Sequence, residues 1–503
     1  MIEKHLPHIV CSSPAFHRES DCACAEESSA SVRLFSAFQT DLDSDCACVE
    51  TKSYLSQSIL QPQDCACSQI LITPNPSIPH ILWQLPKTLY LASLAQDYAV
   101  AFNPIGHGVI AALDTPTLAQ LETFATPGSL TNATAQQLAT LGLLTPVPSP
   151  AVTSPSHILT AWLHLTEACN LHCTYCYVRQ GPRAMDQTLG FAAIDAVFRS
   201  AVAQGYQAVK LKYAGGEPTL VWPLIPVLHS YAQDLATRTG LDLRATVLSN
   251  GTRLTPPMLD WFAHNNVRLM FSLDGIGAIH DAQRPFADGR GSFAALARNL
   301  DLALRAGIKP YLSITVTGQN VEGLADTMRF ALEHGLSFHL NFSRAPQDVA
   351  RIQDPEEQAR WIAALRDAFA VTMAYPGRHI DAFLDLMTLS PHNHPCAAGR
   401  HYLVVGPTGH ISPCQMLLEE PLTDVWADDP LAMIRTENGL FSNPSAETQS
   451  DCHDCTWRYI CAGGCPLLAR EAKSPYCALY RQLLPELLHL EGLRLLQNAG
   501  LAA

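Results

Sequence analysis

The 503-residue chain has no uninterrupted apolar run near the ~18–20 residues that a membrane span requires, so no membrane partner is expected. Nor does it carry a basic excess. Its 32 Lys and Arg stand against 46 Asp and Glu, and 32 − 46 = −14. That balance argues against nucleic acid, or an anionic membrane surface, as the main partner. The opening MIEKHLPHIVCSSP lacks the basic-then-apolar layout of a secretory signal, which makes a cytoplasmic location the expectation. What the chain has in quantity is cysteine, 17 residues of it. Without a secretory context these are expected to be thiolates that do chemistry or hold metal, rather than a disulfide framework. At 48% hydrophobic residues the length suits about three domains of roughly 100–200 residues each.

Residues 1–74 stand apart, with four Lys and Arg against ten Asp and Glu and no sustained helical or alternating pattern. They read as a disordered acidic arm. One phrase recurs in it: Asp21-Cys22-Ala23-Cys24, Asp45-Cys46-Ala47-Cys48 and Asp64-Cys65-Ala66-Cys67. The unequal intervals, 24 and then 19 residues, exclude a solenoid repeat, whose period is nearly constant. Residues 75–150 read as a small α+β module. Apolar runs at Tyr98–Phe102 and Gly108–Leu113 flank an Asn-Pro-Ile-Gly turn, and helical spacing follows over Thr115–Phe124 and Ala133–Leu143. The Pro/Ser-rich stretch at 145–156 reads as a linker.

From about 157 to 345, within a domain read over 157–385, strands and helices alternate. Apolar β-branched runs lie near 158–165, 208–213, 243–249, 266–273, 310–317 and 336–342, with amphipathic stretches between them. In the first of these stretches Phe191, Ile194, Phe198 and Val202 share one face. Six such units imply an α/β fold with a parallel sheet, and functional residues just past the strand C-termini. Directly after the first strand come Cys169, Cys173 and Cys176. Three close thiolates can hold three irons of a [4Fe–4S] cube and leave the fourth open; zinc would want a fourth ligand, for which His172 is the neighbour.

With Tyr175 just before its third cysteine, this motif resembles the signature of the radical S-adenosylmethionine (SAM) superfamily. Later landmarks fall in the family's order: Gly215-Gly216-Glu217-Pro218, Ser249-Asn250-Gly251-Thr252, then Ser272-Leu273-Asp274-Gly275 with Arg284 downstream. The resemblance implies a partial (β/α)6 barrel, a [4Fe–4S] cluster on Cys169, Cys173 and Cys176, and S-adenosylmethionine bound against it. It also implies a reduced flavodoxin or ferredoxin-type electron donor. Gly215, Gly216 and Glu217 would meet the methionine amino group, Ser249 and Asn250 the ribose, and Ser272 and Arg284 the carboxylate.

The tail, 386–503, carries seven cysteines. Cys396 is followed by Gly409-x4-Cys414, then Cys452-x2-Cys455-x5-Cys461-x3-Cys465, then Cys477. A zinc ribbon is the plain alternative, but the ordering resembles the SPASM extension of radical SAM enzymes that mature peptides and proteins. That resemblance implies one or two auxiliary [4Fe–4S] clusters, one on Cys452, Cys455, Cys461 and Cys477 and another on Cys396, Cys414 and Cys465. The second set is one ligand short, with His401 and Tyr402 near the place where some relatives have an eighth cysteine. Sulfatase-maturating relatives place an aspartate base after the cysteine equivalent to Cys414; here Gln415 stands there, and an amide cannot serve as that base.

The function implied is modification of a ribosomal peptide through a 5′-deoxyadenosyl radical, with cysteine thioether crosslinks as the leading product. The peptide is either a separate chain or the arm's own Asp-Cys-Ala-Cys boxes, presented in cis. Metal carriage, redox service or no special role stay open for the boxes. Residues 75–150 sit where related enzymes carry a leader-recognition domain, and a structural cap is the other reading. Epimerisation or carbon–carbon crosslinking in trans, and a catalytically silent iron–sulfur scaffold, are the alternative functions.

Overall fold

The computed structural model describes residues 9–11, 81–152, 156–378, 384–385, 387–436, 441–469 and 473–501. The three Asp-Cys-Ala-Cys boxes lie outside these. One piece of the arm does not: strand β1, Ile9–Cys11, is part of a folded sheet.

The small module is built as its turn signals suggest. After the short strand β2 (Leu82–Gln84) come β3 (Tyr90–Ser93), β4 (Tyr98–Phe102) and β5 (Ile110–Asp114), which pair as an antiparallel meander. Asp114 caps the following helix, Thr115–Glu122, by accepting from Thr117 N at 3.0 Å. Asn132 caps the next, Ala133–Thr140, in the same way. The outer edge of β5 is occupied by β1, antiparallel, with Val10 opposite Ala112. The linker expected at 145–156 is shorter than the composition suggested, because Thr145–Val147 forms strand β6 and pairs with β2.

All six strands read from the central sequence are present: β7 (Ile158–His164), β8 (Ala208–Ala214), β9 (Asp242–Ser249), β10 (Arg268–Ser272), β11 (Tyr311–Val316) and β12 (Phe338–Phe342). They are parallel and adjacent in chain order, each followed by a helix. In the helix after β7, Gln187–Ala203, Ile194 and Phe198 are buried as expected and Phe191 packs against the core, but Val202 is 53% exposed. The buried side is centred on Gly190, Val197 and Ala201, about 100° round the helix at 3.6 residues per turn. Gly190 explains the shift: a Cβ there would lie 2.5 Å from Leu228 Cδ2 of the next helix, so that side must face its neighbour.

The tail is more regular than its sequence suggests. Strand β13 (Tyr402–Val405) pairs in parallel with β7, with Val404 opposite Trp162, and β14 (His410–Ser412) and β15 (Thr423–Asp424) extend the sheet antiparallel. The order is therefore β12-β11-β10-β9-β8-β7-β13-β14-β15. A closing helix, Cys477–Asn498, packs on the small module so closely that a Cβ at Gly492 would meet Val100 Cβ at 2.9 Å. Among the described residues no helix is long and apolar enough to cross a membrane.

Leu403, fully buried in the middle of β13, tests the union of tail and barrel. Leu403→Ala is expected to cost about 2–5 kcal/mol in chemical denaturation. A loss under about 1 kcal/mol would show that β13 does not seal the barrel edge in solution.

Candidate active site

The cysteine loop leaves the end of β7 and is tied to the rest of the barrel through its backbone. His172 N donates to Pro285 O at 2.8 Å, Thr174 N to Gln283 O at 3.0 Å, and Gln180 Nε2 to Leu171 O at 2.6 Å. Leu171 is fully buried and pins the loop between the cysteines. His172 is exposed, away from the thiols.

The glycines of Gly215-Gly216-Glu217 have a local cause. A Cβ on Gly216 would lie 2.4 Å from Ala168 O, and one on Gly215 2.5 Å from Thr166 O. Only glycine lets this turn lie flat against the start of the cysteine loop, where Gly216 N donates to Thr166 O at 2.6 Å and Glu217 N to Ala168 O at 2.9 Å. Buried Glu217 then joins two landmarks. Its Oε1 accepts from Thr219 N (3.0 Å), Thr219 Oγ1 (2.6 Å) and Ser249 Oγ (2.9 Å), and its Oε2 from Asn250 N (2.7 Å). Burial raises its pKa, against the pull of those donors. Asn250 Nδ2 reaches Asn170 Oδ1 at 2.8 Å, and Asn170 Nδ2 reaches Thr252 Oγ1 at 2.8 Å. Asn170 and Thr252 have no sequence signal of their own, although both lie inside the motifs.

The fourth landmark is a buried polar knot. Tyr175 donates to Asp274 Oδ2, Arg284 Nη1 donates to Tyr175, and Arg284 Nη1 lies 3.4 Å from Asp274 Oδ2. Asp274 Oδ1 accepts from Thr315 N at 2.9 Å. Burial alone would lower the pKa of Arg284, but Cys173, Tyr175 and Asp274 hold it charged. Its Nε has no hydrogen-bond partner among the described residues. Neutral His280 supports the turn: its Nδ1 accepts from Asp274 N at 3.3 Å, and its Nε2 faces Ser292 Oγ at 3.2 Å.

One cavity of about 480 Å³ gathers these parts. Cys169, Cys173, Tyr175 and Cys176 line it together with Gly215, Gly216, Glu217, Ser249, Asn250, Ser272 and Arg284. From the tail come Cys396, Cys414 and Cys465, carried there by the β7–β13 pairing. Tyr177 also lines the cavity, within electrostatic reach of both Cys176 and Cys414. The other four tail cysteines form a separate cluster off this cavity, in which Cys461 is influenced by Cys452, Cys455 and Cys477. Of the two residues near the missing eighth cysteine, Tyr402 lines the cavity and donates to Gln415 Oε1 at 3.0 Å. His401 lies instead beside Arg400 and Arg435, its pKa pushed down to about 3 by burial first and then by those charges.

The donor chemistry suits iron–sulfur clusters. None of the ten cysteines of the barrel and tail forms a disulfide. Burial pushes Cys169 up to about 11, and Cys414 and Cys461 up to about 12, so thiolates persist there only against strong positive charge such as iron. Among the described residues, no three His, Cys, Asp or Glu side chains converge as ligands of one metal ion. Cys169, Cys173 and Cys176 instead surround a shared volume beside polar groups that can receive a small zwitterion.

Residues 163–331 match the radical SAM superfamily model, so this part of the chain is a radical SAM domain. A domain of this class works with a [4Fe–4S] cluster and S-adenosylmethionine. Among curated relatives, the chain is 24% identical to the cysteine-type anaerobic sulfatase-maturating enzyme of Clostridium novyi, over 59% of this chain and 84% of that one. It is 25% identical to the antilisterial bacteriocin subtilosin biosynthesis protein AlbA of Bacillus subtilis, over 52% of this chain and 56% of AlbA. Its fold is similar to the solved structure of anSMEcpe with bound AdoMet and Cp18Cys peptide, at TM-score 0.52 and 16% identity, covering 66% of this chain and 99% of that one.

His280 makes the site acid-sensitive. Its folded pKa lies near 3, because burial and then Arg284 oppose its charge, whereas an unfolded histidine takes its proton near 6.5. In that window the unfolded state binds the extra proton, so stability falls as pH falls from about 6.5 toward 3. The expected slope from this residue is on the order of 1 kcal/mol per pH unit. Thermal unfolding across that range should show His280→Gln, which keeps both hydrogen bonds, with a shallower slope than wild type.

Proposed function

We propose that this enzyme modifies a peptide by radical chemistry and closes cysteine thioether crosslinks. Cys169, Cys173 and Cys176 would hold the SAM-binding cluster. Cys396, Cys414 and Cys465 would hold one auxiliary cluster, and Cys452, Cys455, Cys461 and Cys477 another, as in a SPASM domain. The observation that carries this reading is the single cavity onto which both the barrel thiols and Cys396, Cys414 and Cys465 open. Substrate carbon near the first set and substrate sulfur near the second would then be neighbours.

When bound, the cluster and S-adenosylmethionine supply a 5′-deoxyadenosyl radical, which takes a hydrogen atom from an unactivated carbon. The chain's residues supply position. The Gly215–Gly216 backbone would meet the amino group, and Arg284, with its Nε unpartnered among the described residues, would meet the carboxylate together with Ser272. Ser249 and Asn250, kept in place by Glu217, would hold the ribose side. Gln415 lines the cavity as an acceptor for Tyr402 and offers no base, which weighs against sulfatase-type oxidation.

The N-terminal boxes are proposed as substrate in cis. The backbone pairing of β1 on β5 supports this reading, because it anchors the arm to the module packed on the helix that begins at Cys477. Asp21 follows Cys11 by 21 − 11 = 10 residues, a reach of at most about 35 Å. Tethering of this kind turns the encounter into an intramolecular one. A reduced flavodoxin or ferredoxin-type protein is the proposed electron donor, in the cytoplasm.

Mass analysis tests the reading. Protein reconstituted without oxygen, then given S-adenosylmethionine and reductant, should lose two hydrogens per crosslink, about 2 Da, with box cysteines resisting alkylation. Cys169→Ala should abolish both the mass loss and release of 5′-deoxyadenosine. Unmodified boxes alongside released 5′-deoxyadenosine would move the target to another peptide, and deuterium uptake without mass loss would favour epimerisation. Absence of 5′-deoxyadenosine from fully loaded protein would overturn the reading.

A further inference from the structure

Arg344 lies two residues beyond β12, at the barrel's C-terminal end, and lines the cavity beside Cys414 and Cys465. Its side chain is 14% exposed and forks onto Asp385, with Nη1 to Oδ1 at 2.7 Å and Nη2 to Oδ2 at 3.0 Å. Nη1 also donates to Phe342 O. Asp385 takes two further donors, Phe342 N on Oδ1 at 2.9 Å and Tyr480 Oη on Oδ2 at 2.6 Å. Its carboxylate is therefore filled by four hydrogen bonds. Tyr480 belongs to the helix that begins at Cys477, and its hydroxyl is influenced by Cys461. A polar chain thus runs from the Cys414 and Cys465 side through Arg344, Asp385 and Tyr480 to the Cys461 side.

Stability alone is a poor reason for this arrangement. A buried ion pair is often no better than a packed apolar pair of the same volume. Asp385 also sits at φ +47°, a left-handed conformation that costs a non-glycine residue roughly 1–3 kcal/mol and collects at functional sites. What the fork achieves is direction. It fixes the guanidinium on the cavity wall, within electrostatic reach of Cys465 and Cys414, and the carboxylate against Tyr480.

We propose that Arg344, locked by Asp385 and Tyr480, is a positioning residue that sets the reduction potential of the cluster on Cys396, Cys414 and Cys465 above that of the cluster on Cys452, Cys455, Cys461 and Cys477. The positive end of the Arg344–Asp385 pair lines the cavity and Asp385 does not, and the nearer positive charge favours the reduced cluster, which carries one more negative charge. This inference rests on the auxiliary sites and the thioether chemistry proposed above. Closing a C–S bond from a C–H and an S–H gives one hydrogen atom to the 5′-deoxyadenosyl radical, one proton to solvent and one electron to an acceptor. The acceptor is then the cavity-side cluster, which is reduced by that electron as the peptide is oxidised.

The test is a redox titration of the reconstituted full-length protein followed by electron paramagnetic resonance, with no S-adenosylmethionine or peptide present. The signal lost in Cys414→Ala identifies the cavity-side cluster, and the one lost in Cys461→Ala the outer cluster. Arg344→Met is expected to shift the cavity-side midpoint downward by about tenfold in its reduction equilibrium, about 59 mV for one electron. Arg344→Lys, which keeps the charge, should restore most of it, and the SAM-site signal should stay in place. If Arg344→Met does not load, Arg344→Gln, which keeps a donor toward Asp385, should show the same downward shift. An unmoved cavity-side midpoint at full iron content, or an equal shift of all signals, would overturn the inference. Wild-type iron of only about four per chain would overturn the auxiliary-site reading, and this inference with it, while leaving SAM cleavage intact.

Discussion

The parallel pairing of β13 with β7 is the constraint on which the site depends. A partial barrel of six parallel strands exposes the unpaired edge of β7, and an open edge in the middle of a catalytic fold invites the wrong partner. Here the tail supplies the partner, Tyr402–Val405 in register with Thr160–Leu163. The cysteine loop starts just past the C-terminal end of β7, and Cys414 lies past the short strand that returns from β13. One ladder of backbone hydrogen bonds therefore brings two thiol groups, more than 200 residues apart in sequence, to the same cavity.

Around that cavity the protein keeps charged and polar groups under tight control. Glu217 and Asp385 each accept four hydrogen bonds from the chain itself, while Asp274 is shared between Tyr175, Arg284 and a backbone amide. Unpaired, such carboxylates would be costly at this depth. Paired, they fix the turns that carry the landmarks, so little rearrangement is needed when a cofactor binds. The buried thiols are the opposite case. Burial raises the pKa of Cys169, Cys414 and Cys461, so binding them as thiolates to a metal centre would release protons.

Much of this is legible in the order of residues along the chain. Each of the six central strands falls on one of the apolar runs, which parallel strands covered on both faces favour, although Lys210 and Lys212 interrupt β8 and His339 and Asn341 interrupt β12. The landmark motifs fall at strand ends, and every barrel residue nominated from them lines the cavity. Other parts are hidden. Val202 has the spacing of a core residue, yet the close approach of Gly190 to Leu228 turns the helix away from it. Asn170, Thr252, Arg344, Asp385 and Tyr480 are single polar residues with no periodicity to mark them. His401 and Tyr402, adjacent in sequence, point to opposite sides of a strand start, and no count of spacings separates them.

Local sequence therefore determined the elements and the chemistry of the cysteine motifs, since strand propensity, glycine turns and thiol spacing act over a few residues. Only the tertiary structure decided that Cys396, Cys414 and Cys465 open onto the same cavity as the barrel cysteines, and what Arg344 faces. Those outcomes rest on pairings between distant segments, β13 on β7 and Asp385 on Arg344, whose partners are selected by packing and burial of the whole chain rather than by any neighbour in sequence.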